Sequence, residues 1–171
     1  NKELLNRTQI FTEYFENNYR YKNSYSELSL HETLNLFGKF SYEHFDRSSF
    51  TYSEVDKIIS SYPVSTPNKR NIIDYFLNFG IFSISDRINF SHKLFKEFCA
   101  AYYITNSLTV SSDTELLEKI IYNEEWREVV IFISGLFSTI EEQDKFLDYV
   151  LQHNLPLYIE CINSKNDLLR N

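Results

Sequence analysis

The sequence predicts a mainly α-helical fold with one small β-hairpin, and three observations carry that prediction. Apolar residues recur at steps of three and four along most of the 171 residues. Serine or threonine stands three residues ahead of glutamate where several of those runs begin, as a helix N-terminus favours. Strict alternation is confined to two short arms, 81–85 and 88–91, which flank Asp86-Arg87.

The first helix is expected over residues 4–19, with Leu5, Ile10, Phe11, Tyr14, Phe15 and Tyr19 at helical spacing. The polar stretch 21–26 reads as a loop. A second helix covers 29–45 and turns Leu30, Thr33, Leu34, Phe37, Phe40 and Phe45 inward. Gly38 inside it weakens the helix by about 1 kcal/mol, or marks a close approach of another helix. Thr51 and Glu54 form a capping box, and Phe50 can staple onto Val55, so a short helix runs over 52–61. Pro63 and Pro67 bound a linker. A further helix starts near Pro67 or Asn68, buries Ile72, Ile73, Phe76 and Leu77, and ends at Gly80, a left-handed cap. The two alternating arms then make a hairpin around a two-residue turn, although Asp-Arg is not a favoured turn pair. Three helices followed by a hairpin is the order of a winged helix with the hairpin as its wing, and a helix over 93–106 extends past it.

The remainder reads differently. Ser112 caps a helix to about Tyr122, with Glu115 three residues on. Residues 124–137 form another, with Trp126, Val129, Val130, Ile133, Leu136 and Phe137 at helical steps. Thr139 with Glu142 caps a third through Phe146, Leu147, Val150 and Leu151. Leu157, Ile159, Cys161 and Ile162 belong to a fourth, after Pro156. Paired helices with tight capped turns suggest the start of an α-solenoid. Charge divides at the same place. Residues 1–110 carry twelve cations and twelve anions, whereas 111–171 carry five and twelve, which accounts for the whole net charge of −7.

Composition narrows the chemistry. No window is apolar over the roughly 18 residues that a membrane span needs, and nothing at the start reads as a secretion signal. Cys99 and Cys161 lie in apolar helical contexts, as buried thiols in a reducing cytoplasm do. The three glycines, Gly38, Gly80 and Gly135, fit neither phosphate-cradling pattern, so the chain alone has no P-loop. His31-Glu32 lacks the second histidine of a zinc protease, since Asn35 stands in its place. The histidines (31, 44, 92 and 153) are scattered, so no metal site is expected. Ser134-Gly135 lacks the first glycine of a nucleophile elbow. Acidic pairs such as Glu141-Glu142 stand in first helical turns, where they suit the helix dipole. No catalytic residue is assigned. The absence of methionine and the opening on Asn1 lead us to expect a piece of a longer protein.

Phe90-Ser91-His92-Lys93-Leu94-Phe95-Lys96-Glu97-Phe98-Cys99-Ala100-Ala101 resembles the Phe-x-His-x-x-Phe-x-Glu-Phe-x-Ala-Ala segment that closes the winged-helix domain of NACHT-type (STAND) signalling NTPases. Lys96 stands where that family usually has glutamine, and Cys99 where a larger apolar residue is common. The segment 126–136 is similar to the tryptophan-led helix that opens the superhelical region of those proteins. The resemblance implies an incoming helix (1–22) from a preceding helical domain, a winged helix (23–108) and an acidic helical region (109–171). It implies that His92 contacts the phosphate of ADP bound by an N-terminal NTPase domain of the same chain, with ATP and Mg in the active cycle. The fragment itself would hold no cofactor. It further implies a cytoplasmic switch, relayed by C-terminal sensor helices, that self-associates on activation, in bacteria commonly in defence against phage.

A DNA-binding winged helix is the competing reading, through Lys69 and Arg70 on the third helix and Arg87 on the wing. Three cations on a neutral domain beside an acidic one are a thin footprint for phosphate contacts, so nucleic acid is the lesser expectation.

Overall fold

The computed structural model describes residues 6–22, 28–62, 70–111 and 114–166. It is mainly helical with a small three-stranded antiparallel sheet. Helix α1 (Arg7–Lys22) is followed by α2 (Leu30–Glu43), strand β1 (Ser49–Phe50), α3 (Tyr52–Ser61) and α4 (Arg70–Asn78). Strands β2 (Phe82–Ile84) and β3 (Ile88–Phe90) lead into α5 (Lys93–Ser111). Then come α6 (Thr114–Ile121), a 3₁₀ turn (Glu124–Trp126), α7 (Arg127–Leu136), α8 (Ile140–His153) and α9 (Leu155–Asn166).

Local chemistry accounts for most boundaries. Ser29 caps α2: its side chain accepts from the Glu32 N–H, and Glu32 accepts from the Ser29 N–H at 2.7 Å. Thr51 and Glu54 close the same reciprocal box on α3, whose span is the expected one. Thr139 accepts from the Glu142 N–H at the start of α8. At the end of α4, Gly80 adopts φ 70°, and Gly80 and Ile81 donate back to Leu77 and Phe76. Those two bonds are a Schellman motif, which a side chain with a Cβ would strain.

Several expectations need correction. The first helix runs to Lys22, so Tyr21 and Lys22 are helical rather than loop; Leu5 and residues 23–26 lie outside the described residues. The hairpin turn has three residues, not two, because Ile84 pairs with Ile88 and Ser85 donates to the Arg87 carbonyl. A third strand joins it: β1 pairs with β3, giving the order β1-β3-β2. Helix α5 continues to Ser111, beyond the expected end at 106. The expected helix over 124–137 opens as a 3₁₀ turn capped by Asn123 and ends at Leu136. The linker prolines Pro63 and Pro67, the start near Asn68 and the cap at Ser112 lie outside the described residues.

Helix α5 is the axis of the molecule. Gly38 lets α2 close on it: a Cβ there would sit 2.5 Å from the Cys99 carbonyl oxygen and 2.6 Å from the Tyr103 Cβ. Close packing, not weakness, is what that glycine serves. On another side Phe98 stacks on Phe15 of α1 and meets Phe132 of α7 edge-on, both at 5.4 Å. Phe45, just past α2, stacks on Trp126 at 3.8 Å. The buried apolar residues form one continuous cluster that runs from Phe15 to Cys161.

Candidate functional site

His92 lies between β3 and α5, and its side chain is exposed. Its carbonyl accepts from the Phe95 N–H and its Nδ1 accepts from the Leu94 N–H at 3.1 Å, so it caps its own helix. Because Nδ1 accepts there, the proton of the neutral ring resides on Nε2. Nε2 is then a hydrogen-bond donor on an exposed residue at the positive end of a 19-residue helix. Lys93, also exposed, follows directly.

Behind this exposed rim lie two buried charged residues of the same helical turn. Lys96 is 9% exposed, and its ammonium donates to the Phe45 carbonyl at 2.7 Å while lying 4.7 Å from the centre of the Phe45 ring. It satisfies a carbonyl just beyond the end of α2 and so ties the α2–β1 connection to α5. Burial pushes its pKa down. Glu97 is 1% exposed, and neither of its oxygens receives a hydrogen bond. The Lys93 ammonium pairs with Oε1 at 3.3 Å, but it is itself 69% exposed. Burial raises the Glu97 pKa, and Lys93 opposes that only in part. The sequence motif names Lys96 and Glu97, yet their charge conceals that both are interior. The signal that identifies them is their setting, since Phe95, Phe98, Cys99, Ala100 and Ala101 leave little solvent face on that turn.

The residues of the nucleic-acid reading do not gather with His92. Lys69 lies outside the described residues, and Arg70 opens α4. Arg87 is 3.6 Å from Glu54 Oε2, while Arg47 binds Oε1 of the same carboxylate at 2.7 Å. The Thr51 N–H, Arg47 and the Thr51 hydroxyl together draw the Glu54 pKa down to about 2. Arg87 and His92 stand at opposite ends of β3, about 16 Å apart along an extended chain.

A cleft of about 290 Å³ lies elsewhere, bounded by Ile121, Asn123, Glu124, Arg127, Asn154 and Glu160. Arg127 grips Glu160 with two nitrogens, Nε to Oε2 at 2.7 Å. Asn154 donates to the Ile121 carbonyl and accepts from the Leu157 N–H, so its polar groups are engaged in the fold. None of the candidate residues lines this cleft. Cys99 and Cys161 are both buried and not joined in a disulfide, and burial raises the Cys99 pKa. Among the described residues, no three His, Cys, Asp or Glu side chains are grouped to hold a metal, and no helix is long and apolar enough to cross a membrane. Comparison with protein-family models, with curated proteins and with solved structures gives no match to this chain.

Proposed function

We propose that the chain is the regulatory portion of a NACHT-like signalling ATPase of the STAND class. In this reading residues 23–108 are a winged helix, 1–22 arrive from the preceding helical domain, and 109–171 begin a helical-repeat sensor region. An N-terminal NTPase domain binds ADP or Mg-ATP, and His92 holds the ADP-bound resting state. Ligand sensed by the C-terminal helices biases the winged helix away from the nucleotide, which permits exchange and self-association. The setting is a bacterial cytoplasm, in antiphage defence.

The observation that carries this reading is His92 itself. It is exposed, its Nδ1 is occupied by the Leu94 N–H, and its Nε2–H remains as a donor suited to a phosphate oxygen at a helix N-terminus. The strand order β1-β3-β2, with β1 drawn from the α2–α3 connection, also favours a winged helix. The solenoid part draws support from Leu151, Leu155 and Ile159, which leave an apolar strip on the last helix pair.

The test is nucleotide retention in a protein that carries the NTPase domain ahead of this chain. His92→Ala is expected to speed ADP dissociation about tenfold, the loss of one phosphate hydrogen bond. Unchanged dissociation sinks the reading. The DNA-binding alternative is weakened by the engagement of Arg87 with Glu54. Salt-dependent retardation of duplex DNA that Arg70→Glu abolishes would restore it.

A further inference from the structure

Glu97 sits on the turn of α5 that packs toward α7, beside Phe98, whose ring meets Phe132 of α7 at 5.4 Å. A carboxylate in that position has lost its water, yet no hydrogen bond replaces it. Most buried acidic groups are paired and fully bonded, because an ionised group without partners opposes the packing that buries it.

The charged groups around it do not repair this. On its own helix, Lys93 is near but mostly in solvent, and the Lys96 ammonium is committed to the Phe45 carbonyl. From α7, Glu128 presents a second negative charge, which pushes the Glu97 pKa further up. From α1, Arg7 is bound to Glu128. Two carboxylates therefore oppose each other's charge across a helix contact, and Arg7 from α1 serves the outer of the two.

We propose that Glu97 is a proton-operated catch between α5 and α7. The carboxyl is carried uncharged while the helices are packed. When they part, it releases one proton to solvent as the side chain regains water. Packing of the α7 side of the molecule is thereby coupled to proton activity and to any local charge that favours the ionised form. This stands on the α5–α7 contact alone and is independent of the nucleotide reading, so either can fail without the other.

Hydrogen exchange of the buried α7 amides, Val130 to Ile133, tests it on the 171-residue chain between pH 5 and 8. After division by the intrinsic, base-catalysed rate, the opening constant should rise with pH, approaching tenfold per unit while Glu97 is protonated packed and ionised open. Glu97→Gln should flatten that rise, and its difference from the parent profile removes titrations common to both. Glu97→Met, apolar and of similar length, should give the same flat profile and serves if the glutamine variant does not fold. A parent profile already flat after correction, or an undiminished slope in either variant, overturns the proposal.

Discussion

Around the sheet the core is built from rings, whereas among the last helices it is built from branched aliphatic chains. Phe40 has Phe50, Phe76, Phe82 and Phe90 around it, with centroids 5.1 to 6.1 Å away. In α7 the buried run is Val129, Val130, Ile131, Phe132, Ile133 and Ser134, six positions in succession. The strands explain the first pattern. With two or three residues each they offer few inward side chains, so each must cover a large area, which phenylalanine does. Helix α7 explains the second. It is enclosed on nearly every side, where compact branched chains interlock with few rotamers to lose. Element length thus dictates the chemistry of the core it can support.

The sharpest way to break this comparison is to remove one ring and one branch. Phe40→Ala should cost about 4 kcal/mol, because its several neighbours cannot all collapse into the gap. Ile133→Val in α7 should cost about 1 kcal/mol. Denaturant melts that gave equal losses would show that the rings are no more interdependent than the aliphatic chains.

Glycines at the two ends come next. Gly38→Ala should cost about 2 kcal/mol despite the better helix propensity of alanine, since the atom met is a backbone oxygen that cannot step aside. Gly135→Ala meets the Thr8 side chain, Oγ1 at 2.6 Å and Cβ at 2.9 Å, and no backbone atom as close as the Cys99 oxygen is to Gly38. Its expected cost is about half as large. Equal costs would mean that α1 is held as rigidly against α7 as α2 is against α5.

The smallest effect is electrostatic. Glu54 has a folded pKa of about 2, below its ordinary 4.5, so its contribution is present above pH 4.5 and is lost as pH falls toward 2. Glu54→Gln should therefore lower Tm slightly at pH 7 and not at all near pH 2. A constant difference across that window would point to packing, not charge, as the role of Glu54.

What could be read in advance was chemistry local to a few residues. Thr51 with Glu54 and the left-handed Gly80 are each determined within five positions, and both are found as expected. Ser29 with Glu32 obeys the same rule and is equally legible. Strand β1 was not legible, because two residues show no alternation and their partner is β3, about 40 positions away. The turn at 85–87 differs from the expected two residues for a related reason: its length follows from the pairing of Ile84 with Ile88, not from Asp86-Arg87. At the candidate site, His92 could be singled out by its motif, but the direction of its ring depends on the Leu94 N–H. The interior position of Lys96 and Glu97 depends on helices contributed by distant segments.

One aromatic contact gives the molecule an optical reporter of its own. Trp126 is the sole tryptophan, 5% exposed, stacked on Phe45 at the joint between α2 and α7. Tyr42 lies 5.7 Å away, near enough to pass on its excitation energy. With the joint shut, ultraviolet emission should be blue-shifted and fed by that tyrosine. If the C-terminal helices swing out, the indole meets water, and the spectrum moves to the red without any dye having been attached.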